Sequence, residues 1–421
     1  MNLLLLVLIE TLFALLAVNS MQRAVALVVF LIPAYLLRTS LFGVPTNMLE
    51  ISALVVLTVA LSNSAHRKKI IHTIKNTPLT LKLGVIGFLV SGVISTVISD
   101  QVIVSLGILK SWLVFPLIIA LLAKSFYSHK VFSALIYSGS AMALVGITQI
   151  GSKARVYGVY DVPNSLALYL APIILLAIWP YLARRTNKLH ATLGLIMITA
   201  LVATQSASGI ASVALTLTIG ALIFRVASKK RTLIALLSVI LIATAVLGFS
   251  GRLKYLSQIS AGNSVAVRFQ LWSIGLELAQ QHPFFGIGLG QFEPYYQQAL
   301  HQRFLQSPLL TTHHSLPTLP EFVFRDPHNW PISFYLNLGL LGLVSFTAIN
   351  VAVIKNAYTK RKELTPAEQA LVLAIIVTLI FGLTDTIYWK NDLATLWWAL
   401  VVMARYGQSV PKQGSLSSEA N

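Results

Sequence analysis

Long apolar runs separated by short polar connections dominate the chain, near residues 3–18, 24–40, 47–63, 79–98, 103–123, 131–150, 164–183, 191–204, 208–226, 232–249, 328–354, 367–384 and 393–406. A spanning helix needs about 20 apolar residues, and none of these runs shows the period-2 alternation of a barrel strand. Lipid cannot satisfy an open sheet edge, so the runs are predicted to be helices. The expected fold is all-α: a polytopic membrane protein of about 12 transmembrane helices. The count is loosest at the start, where 3–18 and 24–40 are short and separated only by Asn19 to Arg23, enough for one span plus an interfacial segment. No basic leader precedes the first run and no small-residue cleavage site follows it, so it reads as a retained anchor.

One interruption is different in kind. Gly251 to Pro327 is the single long polar segment, and it ends in Asp326-Pro327-His328-Asn329 just before another apolar run. The organisation expected is therefore transmembrane helices over 1–250, an external loop over 251–327, further transmembrane helices over 328–406, and a tail over 407–421. The tail is rich in Ser, Gly and Gln and is expected to be disordered and cytoplasmic. Within the loop, Asn263 or Ser264 can cap a helix running to about Gln281, with Arg268, Leu271, Trp272, Gly275, Leu278 and Ala279 at helical spacing. That pattern suits an amphipathic helix on the membrane surface.

Composition confirms the class: 56% of residues are hydrophobic and only 10% charged, against about 25% charged in an ordinary soluble chain. The net charge of +18 does not point to nucleic acid, because the basic residues sit in short connections: Arg67, Lys68, Lys69 and Lys75; Lys124 and Lys130; Arg184, Arg185 and Lys188; Arg225 to Arg231; Lys355 to Lys362. They mark inner loops. The loops around 99–102, 151–163, 251–327 and 385–392 then face outward. The chain has no cysteine, which excludes disulfides and thiol catalysis.

The candidate chemistry lies on that outer face. Asp326 is a favoured helix N-cap and Pro327 suits the first helical position, which places His328 in a first turn where the helix dipole disfavours imidazolium and attracts anions. Gly339 and Gly342 offer a small face for a neighbouring helix. Arg268 near the start of the loop helix can hold phosphate oxygens through its guanidinium fork, although an arginine on lipid headgroups reads the same way. Arg155 is a second anion ligand in the loop that also holds Lys153, Tyr157, Gly158, Pro163 and Asn164. Lys110, deep inside an apolar run, is costly to bury unpaired and so a functional suspect. Asp385, near Tyr388 and Lys390, can orient the histidine or pair with an arginine. Asn329 completes the set. Gly286, Gly288 and Gly290 follow no strand and read as a turn after Pro283. His313-His314 lack a third ligand, and no Walker loop or Asp-x-Asp pair is present, so no metal and no cofactor are expected.

Three stretches together resemble the bacterial O-antigen ligase and polymerase superfamily: Arg268 to Trp272 with His282 to Gly288; His328-Asn329 followed by Gly339; and Arg155 to Gly158 with Pro163-Asn164. Asp385 falls in the family's usual closing region. Outside these motifs the likeness is mainly hydropathy. The resemblance implies a GT-C type, metal-independent, inverting glycosyltransferase with one large periplasmic loop containing helices. It implies an inner-membrane, multi-pass enzyme facing the periplasm, a monomer, whose partners are an undecaprenyl-diphosphate-linked glycan, lipid A-core and membrane lipids. Arg155, Arg268 and His328 would be catalytic, with Asn329, Lys110 and Asp385 binding diphosphate or acceptor. O-antigen ligase is favoured by the His-Asn motif and the single late loop. The alternatives are an O-antigen polymerase or protein O-oligosaccharyltransferase and, from another class, a lipid-linked sugar transporter or flippase; the last would show paired halves, and no internal repeat is visible.

Overall fold

The computed structural model describes residues 3–41, 43–184, 187–224, 264–305 and 324–404, with single positions at 233, 237, 244 and 248. Apart from those single positions, the apolar run at 232–249 lies outside the described residues, as do the His313-His314 pair, the cap at Asn263 and the 407–421 tail.

The chain is an all-α polytopic membrane protein. Its helices are α1 (Leu3–Asn19), α2 (Met21–Phe30), α3 (Met48–Ser62), α4 (Ser64–Lys75), α5 (Leu79–Val97), α6 (Val102–Ile108), α7 (Phe115–Ser125), α8 (His129–Ile147), α9 (Pro163–Arg184), α10 (Lys188–Ala203), α11 (Ala207–Phe224), α12 (Ser264–Gln281), α13 (Phe292–Leu305), α14 (Trp330–Thr359), α15 (Pro366–Phe381) and α16 (Asn391–Ala404). Among the described residues, six helical segments are long and apolar enough to cross a membrane: 79–97, 102–125, 129–147, 163–184, 207–224 and 330–359. A seventh is gained if α3 and α4, bent by 106°, are one span. Shorter apolar helices, including α1, α2, α10, α15 and α16, fill the bundle.

Two apolar runs fold differently from the expectation of one helix each. The run at 24–40 stops as a helix at Phe30, because Pro33 cannot continue the hydrogen-bond ladder. A 3-10 turn, Ile32–Leu36, follows, and then an antiparallel hairpin of β1 (Arg38–Leu41) and β2 (Val44–Asn47). The run at 103–123 is α6 and α7 joined through a π-helical stretch, Leu109–Val114, that carries Lys110.

The core is built on α9, whose side chains from Ser165 to Pro180 are all buried. α15 and α10 pack on α9, α14 packs on α5, and α16 packs on α7. Aromatic rings knit these together: Phe334 stacks on Phe346 and Phe346 on Trp397, with Phe88, Tyr388 and Trp398 closing the cluster. Burying such rings contributes area and preferred ring geometry at once.

α12 and α13 bury a second core of Leu271, Ile274, Leu278, Phe292 and Tyr296 with Leu336 of α14. The opposite side of α12 exposes Phe269 and Leu276. The helix expected to lie on a membrane surface therefore packs one face on protein.

Gly339 does not serve as a flat helix-packing face. It interrupts α14 with a φ of 67°, and the loop after α12 docks into the break: the Ile287 amide donates to Leu336 O at 2.9 Å and the Leu340 amide to Phe284 O at 3.0 Å. The Gly290 amide donates to Asn337 Oδ1 at 2.8 Å. A side chain at Gly339 would collide with Phe284 O, and one at Gly286 with Leu336 O, so glycine is required by both sign of φ and proximity.

Candidate active site

The helix that was expected to begin at Asp326 begins later. Asn329 is the N-cap, accepting from the Ile332 amide at 3.3 Å, and Pro331 occupies the first turn. His328 therefore precedes the helix, in the left-handed region at φ 52°, a conformation that costs a non-glycine residue energy and persists only where its surroundings impose it.

Asp326 imposes it. Its Oδ1 accepts from the His328 amide at 2.9 Å and from Thr386 Oγ1 at 2.8 Å, and its Oδ2 accepts from Ser333 Oγ. Burial, outweighing the pull of His328 and these hydrogen bonds, lifts its carboxyl above the usual carboxylate value. The segment 382–386 is stitched to the same turn: the Trp330 amide donates to Gly382 O at 2.8 Å and Asn329 Nδ2 to Leu383 O at 3.0 Å.

These contacts set Asp385 beside the imidazole. His328 Nδ1 and Asp385 Oδ1 are 2.9 Å apart. The other oxygen of Asp385 accepts from Asn164 Nδ2 at 2.7 Å and lies 3.8 Å from Arg268 Nη2. Arg155 joins through the same asparagine, its Nη2 donating to Asn164 Oδ1 at 3.2 Å while its Nε donates to Thr204 O at 2.8 Å. Gln149 shapes that loop, accepting the Tyr157 and Gly158 amides at 2.9 Å each. Side chains from four separate stretches thus meet around one carboxylate.

The electrostatics differ from the sequence expectation in one respect. Burial disfavours imidazolium at His328, but the charge and hydrogen bond of Asp385, with Asp326 behind them, outweigh it and raise the ring above its ordinary 6.5. The ring is outside the helix and bonded to a carboxylate, so the helix dipole does not decide its state, and the expected neutral tendency is overturned. Asp385 shows the reverse balance: burial opposes ionisation, yet His328 and Arg268 bring the carboxyl down to about 2. With Nδ1 engaged by Asp385, Nε2 is the ring atom left for a substrate proton.

Lys110 is held elsewhere. Its Nζ donates to Glu50 Oε2 at 2.8 Å and to Pro45 O at 2.6 Å, and Asn391 ties the pair to Trp112, which donates to Asn391 Oδ1 at 3.0 Å. The charge inside the membrane run is thus compensated by a second one. Glu50, alone in the run 47–63, was the available signal for that partner. The sequence presents Asp326 as a helix cap, and Asn164 as a helix cap within the Pro163-Asn164 stretch of the resemblance; neither reading reports a bond to the 385–386 segment. Among the described residues no group of three His, Asp or Glu side chains is arranged as metal ligands would be.

Residues 192–347 match the family model described as O-Antigen ligase. No curated protein matches the chain. The matched segment runs from α10 into α14 and contains Arg268 and His328, whereas Arg155 and Asp385 lie outside it. That match supports a place in the O-antigen ligase and polymerase superfamily of glycosyl-transferring enzymes, without a division between the two named activities.

Proposed function

We propose that this chain is an O-antigen ligase of GT-C type. It transfers a glycan from undecaprenyl diphosphate to a lipid A-core hydroxyl at the periplasmic face of a bacterial inner membrane. The observation that carries the reading is the single carboxylate of Asp385 holding His328 at 2.9 Å and Arg268 at 3.8 Å, with Arg155 linked to it through Asn164. In the reaction the acceptor oxygen bonds to the anomeric carbon from the side opposite the diphosphate, the bond from that carbon to the phosphate oxygen breaks, and undecaprenyl diphosphate leaves with the bonding pair. The product is inverted. Arg155 and Arg268 stabilise the charge gathering on the leaving group, and Nε2 of neutral His328 takes the acceptor's proton, leaving imidazolium beside Asp385.

No step calls for a metal. The family match leaves ligase and polymerase unresolved, and the His-Asn sequence at 328–329 tilts the reading to ligase. Expression in a ligase-deficient strain tests it by gel analysis of lipopolysaccharide. Restored long-chain ladders are expected, with none from His328→Ala or Arg268→Ala at equal protein level. Rough bands from the unaltered chain refute the ligase assignment.

A further inference from the structure

Lys390 was left without a role above, and its setting is unlike that of Lys110. Lys110 is neutralised by direct contact with Glu50. Lys390 Nζ bonds to the neutral hydroxyl of Ser165, and among the described residues no carboxylate makes an ion pair with it. The buried Asp392, two residues along, acts on it only through space. An ammonium group has three donors; Ser165 takes one. Lys390 is only half-buried, so the others are not sealed from an incoming ligand.

Its position matters more than its charge. Ser165 follows Asn164, the residue that joins Arg155 to Asp385, and consecutive Cα atoms are about 3.8 Å apart. Arg155 and Lys390 therefore engage neighbouring side chains in the first turn of α9. Lys390 also closes the loop that carries Asp385 and Thr386, whose backbone is anchored to the His328 turn. A cation with spare donors is thus built into the two elements that organise the arginine–histidine cluster.

We infer that Lys390 is a further anion-binding residue of this site, contacting the second phosphate of a polyprenyl diphosphate. The inference rests on the transfer reaction proposed above. A diphosphate spreads its charge over two phosphate groups, and a compact ammonium serves as a point charge for one of them while guanidinium forks hold the other.

The test measures direct binding of two probes, undecaprenyl diphosphate and undecaprenyl monophosphate, to the purified full-length protein and to Lys390→Met and Lys390→Arg. Lys390→Met is expected to bind the diphosphate lipid about tenfold more weakly, as for loss of one hydrogen bond to a charged group. Its affinity for the monophosphate lipid should be unchanged, and Lys390→Arg should keep the preference for diphosphate. Equal weakening toward both lipids marks a structural lysine and overturns the inference, as does an unaltered preference in Lys390→Met. Those outcomes remove Lys390 alone. Failure of the unaltered protein to bind either lipid removes the proposed donor, and this inference with it.

Discussion

Replacing Asp385 by Asn keeps the side chain's shape and deletes the charge on which the cluster is centred. The carboxyl sits at about 2 instead of its ordinary 3.8, which at about 1.4 kcal/mol per unit is a net preference of about 2–3 kcal/mol for the charged form. Burial opposes that preference, so the attraction from His328 and Arg268 exceeds it. The partners feel the same coupling in return, and loss of the charge lowers the His328 value, since burial and the Arg268 charge are then opposed by Asp326 alone. Transfer by the unaltered enzyme should rise with pH through a limb above 6.5 as His328 loses its proton. In Asp385→Asn this limb should move to lower pH, and the plateau should fall about 100-fold because the ring is no longer oriented and its imidazolium no longer stabilised. The assay is single-turnover transfer from lipid-linked glycan to rough lipopolysaccharide across a pH series. A limb that stays in place refutes the coupling, whatever happens to the rate. The stability effect has its own sign: a carboxyl depressed on folding contributes fully above the ordinary value of 3.8, and the contribution is lost as pH falls toward 2.

Three further outcomes are expected. Arg155→Lys keeps the charge but loses the fork that spans Asn164 and Thr204, and transfer should drop about tenfold or more in the same assay. Transfer should survive EDTA; activity lost to chelation and restored by a divalent ion would contradict the proposed chemistry. Gly339→Ala should lower the thermal unfolding temperature measured in detergent, by an amount corresponding to about 1 kcal/mol or more, since the new Cβ meets Phe284 O at a positive φ.

Hydropathy made the fold class legible, because runs of this length can only be helices in lipid. It did not reveal where runs break. Pro33 ends one run in a turn and hairpin, a proline visible in the sequence, whereas the break at Gly339 depends on a loop some fifty residues earlier filling it, which no local pattern reports. The cluster is legible by residue type and place: Arg155, Arg268 and Asp385 stand out because only 10% of the chain is charged, and His328 because it sits where the long polar segment meets the next apolar run. Their linkage was not, since Asn164 and Asp326 look like ordinary caps until the tertiary fold brings Asp385 and Thr386 to them. The protonation of His328 was misjudged for the same reason: a dipole argument uses neighbours in sequence, and the deciding carboxylate lies 57 residues away.

The docking of the 284–290 loop into the break of α14 bears on how such enzymes can be recombined. The backbone N–H groups of Ile287, Gly290 and Leu340 donate hydrogen bonds across the junction, so a chimera cut at the loop's apparent end, near residue 328, exchanges one half of a hydrogen-bonded seam and strands the other. Grafts that carry 264–342 as a single cassette keep both halves. Donor and acceptor preferences would then be inherited with the broken helix, and not with the polar loop alone.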